Sequence, residues 1–539
     1  MLVRNHRTPS AISYSLALWG LLQICTVAHA QHTYYISKSL GADSNTAAQA
    51  QSKSSPWAHI PGQTGASGNA SSYHPVAGDQ FIFYGGDTWG NSDLGIIIAP
   101  STNWSAGTSS SPIYVGVDKT WYNSSVCGAS WCRPIFSCGA SACTGTGNAI
   151  SYLFVVESYV TIDNFEFKGL YTDGSGGTPS YVSTQLDHDI VENCYFHGWT
   201  VAPGSTHDFG QVTAFNNNNF SPYTSVGSGL WYSVIDGSDS SDPGGGADSM
   251  VAIGGAPDDV IGNYIGSVTN GLEGSATYVG QNYVTTIPVS FQAAAHQNAF
   301  QIAGPANSGE TYGFIYNNVV TNVENGGIAK YWWAQGSGNS GTTWYVFNNV
   351  LFNVVAGNNI NVCQLGTNCG THYIFNNTWQ CGNNSSTGDC IGSGATPAGT
   401  VTLVNNHCIT GGLCINTTGH SFTSTETTDL QQTVATANSQ GYTSSSTYAF
   451  QPTGNTGGTV GTGTNDQSLC TTISGLSSAA GSACQNDTGY ACSYNTSNHT
   501  VTCPDRTELA RPASAAWDIG AYQYGTSLNP PTALSAVAR

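Results

Sequence analysis

Short apolar runs broken by a single polar pair recur along the chain. Ile315-Tyr316-Asn317-Asn318-Val319-Val320 returns as Val346-Phe347-Asn348-Asn349-Val350-Leu351, as Ile374-Phe375-Asn376-Asn377-Thr378-Trp379 and as Leu403-Val404-Asn405-Asn406-His407-Cys408. The second Asn of successive phrases is separated by 31, 28 and 29 residues. Each phrase predicts a short strand, a bend at the Asn pair and a second strand. A unit of this kind cannot bury its own apolar face and must stack on a neighbour, which makes the period the mark of a repeat architecture.

The same pattern starts earlier. Val160-Thr161-Ile162-Asp163-Asn164-Phe165-Glu166-Phe167 is followed by Ile190-Val191-Glu192-Asn193-Cys194-Tyr195-Phe196, with Asn164 and Asn193 29 residues apart. Val260 to Ile265 adds another phrase. No segment carries a sustained 3.6-residue period; the nearest, from Thr425 to Ala437, is weak. Propeller blades take about 40–45 residues each. A step near 29 with one strong phrase per step predicts an all-β chain folded as a right-handed parallel β-helix, with Asn side chains stacked in ladders at the turns.

Composition agrees. The 539 residues include 66 Gly and are 8% charged and 11% aromatic, so Ser, Thr, Asn and Gly supply the polar surface. Arg4 and Arg7 precede an apolar run centred on Leu16 to Ile24, and Ala28-His29-Ala30 has the small-x-small form of a signal-peptide cleavage site. The expectation is an exported, soluble protein with no membrane span. Cysteine usage fits an oxidising compartment: Cys363/Cys369, Cys381/Cys390 and Cys408/Cys414 read as loop staples. The cluster Cys127, Cys132, Cys138, Cys143 reads as disulfides rather than zinc, and Cys194 as a buried free thiol. Without the first 30 residues, nine Lys and Arg stand against 30 acids, a charge of −21. Nucleic acid is excluded as a partner, because phosphate binding needs clustered cations.

The organisation expected is a signal peptide over 1–30, an N-terminal cap with first rungs and a Cys-rich loop over 31–148, and β-helix repeats over 149–420. A non-repetitive, disulfide-pinned C-terminal cap over 421–525 and a tail over 526–539 follow. Tyr34-Tyr35-Ile36-Ser37, Ser55-Pro56-Trp57-Ala58 and Gly78-Asp79-Gln80 resemble the first rung of the secreted β-helix proteins of the pectate-lyase-like superfamily, and Trp517-Asp518-Ile519-Gly520-Ala521-Tyr522 resembles their closing strand. That resemblance implies the fold. It leaves function open, because the superfamily includes lyases, hydrolases, esterases, epimerases and non-catalytic surface proteins.

Four places carry candidate chemistry. In Glu324 to Trp333, Lys330 is the candidate base for β-elimination on a uronic-acid glycan, with Glu324 orienting it and Tyr331, Trp332 and Trp333 as a sugar platform. Asp236, Asp239, Asp242 and Asp248 lie on a Gly-rich loop with the oxygen chemistry of a Ca2+ site. Among the histidines (His188, His197, His207, His296), His296 is the best acid or base candidate. A hydrolase would need two carboxylates on one cleft, with Asp187, Asp189, Asp258, Asp259 and Glu273 available. The reading is a monomeric polysaccharide lyase, with a glycoside hydrolase and a non-catalytic surface β-helix as alternatives.

Overall fold

The computed structural model describes residues 31–138, 151–172, 180–201, 210–215, 226–239, 250–287, 298–307, 309–323, 332–335, 341–354, 360–365, 368–381, 388–392, 398–418, 423–443 and 447–525. Its core is a stack of coils, each passing in turn through three sheets. The first sheet holds 13 strands from Thr33–Ile36 to Thr423–Thr427, the second 12 from Thr88–Trp89 to Leu430–Gln432, and the third 7 from Ile96–Ile98 to Phe300–Ile302. Every pairing within these sheets is parallel. The chain is therefore a right-handed parallel β-helix, as its period predicts.

Stacking in register places like on like inside the coil. Trp89, Phe136, Phe167 and Phe196 stack face to face along the second sheet, with ring centroids 5.4, 5.7 and 5.2 Å apart. All four are buried. Aromatic pairs add to the burial of their area, and the repeat makes that gain at each rung.

The two Asn of each phrase divide the work of the corner between the first and second sheets. The first takes the left-handed conformation, with φ of 53° at Asn317, 57° at Asn348, 53° at Asn376 and 57° at Asn405; Asn tolerates this region better than most residues. The second points inward. Asn263, Asn282, Asn318, Asn349 and Asn377 each donate Nδ2–H to the Oδ1 of the next Asn, ending on Asn406, at 2.9–3.0 Å. Asn406 closes the ladder on Asp429 at 2.9 Å. A buried amide left unpaired would cost ~1–3 kcal/mol, and the ladder satisfies each one through the next coil.

The C-terminal region does not sit only beyond the last coil. It doubles back along the flank and reads the outward Asn of each phrase. Asn405 donates to the carbonyl of Thr464, Asn376 to that of Asp518, Asn348 to those of Ala483 and Asn486, and Asn317 to the Glu508 carboxyl. The helices Gln467–Leu476 and Ser478–Cys484 cover Phe314, Tyr316, Tyr345, Phe347 and Phe375 on the outer face of the first sheet. The strap ends in the hairpin Ser493–Asn495/Thr500–Thr502, closed by Cys492–Cys503.

Disulfides also join Cys127–Cys132, Cys381–Cys390, Cys408–Cys414 and Cys470–Cys484, and Cys194 is free and buried. Among the described residues no helix is long and apolar enough to cross a membrane.

Candidate functional site

Two polar clusters meet at the corner between the fourth to sixth strands of the first sheet and the third to fifth of the second, one on each side of it. On the outer face of the first sheet, Asp163 of Val160–Asp163 is in register with Glu192 of Ile190–Glu192, and Glu192 with Trp231 of Gly229–Trp231. Parallel rungs are ~4.8 Å apart, so the two residues sit one rung apart, close enough for the charge of Asp163 to act on the Glu192 carboxyl. Their surroundings differ. Asp163 accepts from the Tyr114 hydroxyl at 2.5 Å, from Asn164 Nδ2 at 2.6 Å and from Asn193 Nδ2 at 2.8 Å. The Glu192 carboxyl accepts no hydrogen bond among the described residues. Burial, and then the charge of Asp163, push it up to about 7.

Gly116 makes this arrangement possible. The Tyr114 ring lies directly over it, 2.4 Å from where a Cβ would stand. A side chain there would drive the phenol off Asp163. Burial, and then Asp163, also raise the Tyr114 hydroxyl, so it serves as a donor. Trp231 is partly exposed and its indole nitrogen has no partner among the described residues. Tyr232, 40% exposed, folds over Gly262 beside Cys503. A carboxylate held by three donors, a carboxyl titrating near neutrality and an aromatic surface thus lie on consecutive rungs. Environments that push two carboxyls apart are how acid and nucleophile roles are assigned.

Across the corner, on the outer face of the second sheet, Lys168, His197 and Asp236 are in register on three rungs. His197 is buried, with Nε2 3.2 Å from Glu166 Oε1 and Nδ1 3.5 Å from Asp239 Oδ2. It stacks on Tyr195 at 4.2 Å, and the Tyr195 hydroxyl donates to Asp239. Lys168 Nζ lies 3.7 Å from Glu166. Burial raises the Glu166 carboxyl, but the hydrogen bond to His197 and the nearby charges, Lys168 and Arg133 among them, together hold it below its usual range. The strap hairpin covers this cluster: His499 stacks on Tyr195 at 4.0 Å and Tyr494 donates to Asp236 at 3.0 Å. Arg133, buried beneath, donates to the carbonyls of Asn193, Asn498 and His499 at 3.0–3.1 Å.

Most of the lyase-site and Ca2+-loop residues named from sequence are not among those the structure describes. Lys330, Glu324, His296, Tyr331, Asp242 and Asp248 lie outside the described residues. Trp332 and Trp333 form the strand Trp332–Gln335 and pair with Ile360 and Asn361. Asp236 and Asp239 are placed, but their oxygens are spent on Ser238, Tyr494 and Tyr195. Among the described residues no group of three or more His, Cys, Asp or Glu is arranged to hold a metal ion, and two residues of the expected Ca2+ loop, Asp242 and Asp248, lie outside them. Of the carboxylates named for a hydrolase, Asp187 accepts from the Val226 amide, and Asp259 opens the strand Asp259–Ile261 in register with Gly229. Asp189 is buried and accepts from the Val160 amide, Asp258 is buried and accepts from the Gly227 amide, and Glu273 accepts from Asn270. Asp163 and Glu192 were missed, although the signal was present: an acid directly before the corner Asn, repeated at the 29-residue step.

No family model and no curated protein matches the chain. Among solved structures it is similar to the GH136 lacto-N-biosidase from Eubacterium ramulus (12% identity, 75% of this chain and 68% of that one, TM-score 0.44). It is also similar to pectate lyase Pel9A (12%, 92% and 96%, TM-score 0.41). A third is the PL6 family polysaccharide lyase Pedsa3628 from Pseudopedobacter saltans (16%, 70% and 84%, TM-score 0.38).

Proposed function

We propose that this chain is an exported, carbohydrate-active β-helix protein that hydrolyses a glycosidic bond at Asp163 and Glu192. The observation that carries the reading is the in-register placement of these two acidic residues on adjacent rungs in unlike surroundings. Retention needs carboxyls ~5–5.5 Å apart, a span that side chains on adjacent rungs ~4.8 Å apart can meet, and the pair is read as acting in that way. Glu192 gives its proton to the glycosidic oxygen as the bond to the anomeric carbon breaks, and Asp163 bonds to that carbon. Glu192 then takes a proton from water, whose oxygen displaces Asp163 with overall retention. The leaving sugar gains a hydrogen and the anomeric carbon a hydroxyl. Tyr114, Asn164 and Asn193 orient the nucleophile, and Trp231 offers a ring face to the sugar. Export is supported by the disulfides and the sequence of the first 30 residues.

A second reading, β-elimination on a uronic-acid polysaccharide, is favoured by Lys168. It offers an ammonium to a substrate carboxylate beside His197 and Tyr195, and Lys330 is the base expected from sequence. An excess of 30 acids over 11 bases weighs against binding a polyanion over the whole surface. One assay separates the two. Hydrolysis releases reducing ends without an ultraviolet-absorbing product, and is lost in Glu192→Gln; elimination produces unsaturated uronate and is lost in Lys168→Ala or Lys330→Ala. Unsaturated product that survives Glu192→Gln overturns the hydrolytic reading. No new ends across a panel of glycans would leave a binding protein.

A further inference from the structure

The outer face that carries the carboxyl pair continues toward the N-terminus. Tyr35 of Thr33–Ile36 is in register with Ile82, and Ile82 with Gly116. Val115 pairs with Ile162, which sets Gly116 level with Asp163. One row thus runs through Tyr35, Ile82, Gly116 under the Tyr114 ring, Asp163, Glu192 and Trp231, six rungs and so about 24 Å long.

The N-terminal end of this row differs chemically from the rest of the chain. Trp121 sets its edge against Tyr35 at 5.0 Å and lies 4.8 Å from Tyr84. Lys53 Nζ sits 5.7 Å from the centre of the Tyr35 ring, and Lys119 Nζ lies 4.6 Å over the Trp131 ring. Lys53 is partly neutralised by Asp118 at 2.6 Å. Lys119 is exposed and has no carboxylate partner among the described residues. In a protein of 30 acids and 11 bases, a Lys119 ammonium with no carboxylate partner among the described residues, set over an aromatic ring at one end of the row, departs locally from the overall acidity. Ring faces stack on sugars, and ammonium groups pair with anionic substituents. The in-register ladder Tyr278, Phe314, Tyr345, Tyr373 offers no such surface, because its rings stack on one another under the strap helices.

We propose that Tyr35, Tyr84, Trp131, Lys53 and Lys119, with the buried Trp121 packed behind the two tyrosines, form a subsite for an anionic stretch of glycan, with carboxylate- or sulfate-bearing sugars, whose neighbouring residues reach Asp163 and Glu192. This rests on the hydrolytic reading and adds the substrate class. The glycan lies along the axis of the solenoid, with its charged portion held about three rungs from the cleaved bond. Charge is accepted at the cationic end and kept away from the two carboxyls.

The test uses the full-length Glu192→Gln protein, so that glycan survives, in affinity electrophoresis and calorimetry. The probes are polygalacturonate, dextran sulfate, unsubstituted dextran and single-stranded DNA, each at low and high salt. Anionic glycans are expected to bind and to weaken with salt. Lys119→Ala and Trp131→Ala should each reduce that affinity about 10-fold, with circular dichroism confirming the fold. Carboxylate and sulfate sources are told apart by which polymer binds more tightly. Equal binding of dextran, affinity unchanged in both variants, or DNA binding as tight as glycan binding would overturn the subsite. Hydrolysis that persists in Glu192→Gln would instead overturn the catalytic reading while the binding arm still stands.

Discussion

Asn193 donates its Nδ2–H to Oδ1 of Asp163 at 2.8 Å, so a corner amide of one coil fixes a carboxylate of the coil before it. Asn193 has φ of 53°, the conformation of the outward Asn in the later phrases. Where the strap reads those later amides, Asp163 reads this one and Asn164. The device that sets the corners is reused to orient a proposed nucleophile.

Loss of either carboxyl should therefore act on catalysis with little effect on the fold. Asp163→Asn and Glu192→Gln are each expected to reduce kcat by ~10³-fold or more, against the ~10²–10⁴-fold typical of an acid–base group. With Glu192 pushed up to about 7, its proton is lost as pH rises through neutrality, so wild-type rate should fall along that limb. A rate still rising from pH 7 to 9 would remove Glu192 as the acid.

The Asn ladder predicts a stability cost with a definite origin. Asn349 is fully buried, donates to Asn377 and to the Ile315 carbonyl, and accepts from Asn318. Asn349→Ala leaves a buried carbonyl and the Asn318 amide without that partner and should cost ~2–4 kcal/mol, read from denaturant midpoints. Asn353→Ala, on the partly exposed part of the next strand, should cost well under half of that.

Arg511 is the strap's interior anchor. Its guanidinium donates to Asn348 Oδ1 at 2.8 Å and to the Gly520 carbonyl at 3.1 Å, and it is buried. Arg511→Ala should cost ~3 kcal/mol, because it leaves several buried acceptors unpaired. Limited proteolysis should then cut first within 434–525 while the coils resist. Cuts that begin in the coils would contradict a separately anchored strap.

Stability should decline above pH 6.5. Burial raises Glu192, Glu508 and Asp429 to about 7 and Asp466 to about 6. A raised carboxyl binds more protons folded than unfolded at pH values between its two pKa values, so its stabilisation is full at acid pH and lost as pH rises through the folded value. His59, raised chiefly by its hydrogen bond to Asp43, acts in the same direction above 6.5. His407, which burial lowers to about 4, and His499 act oppositely, but only below 6.5. Tm should therefore fall from pH 6.5 to 8; a flat or rising Tm would contradict these shifts.

The sequence by itself determined the coil. Period, apolar alternation and the Asn pair are local patterns, and each repeat meets its neighbour at a fixed step, so spacing alone places Asn318 on Asn349 and Phe167 on Phe196. Tertiary structure decided what crosses between coils and segments. Glu192 acquires its character from burial and then from Asp163 one rung away, and Tyr114 reaches that pair only because Gly116 leaves room. His499 lies over Tyr195 because a strap about 300 residues later in the chain runs back along the corner. No periodicity encodes that return path. It depends on complementary surfaces that exist only once the coils are stacked.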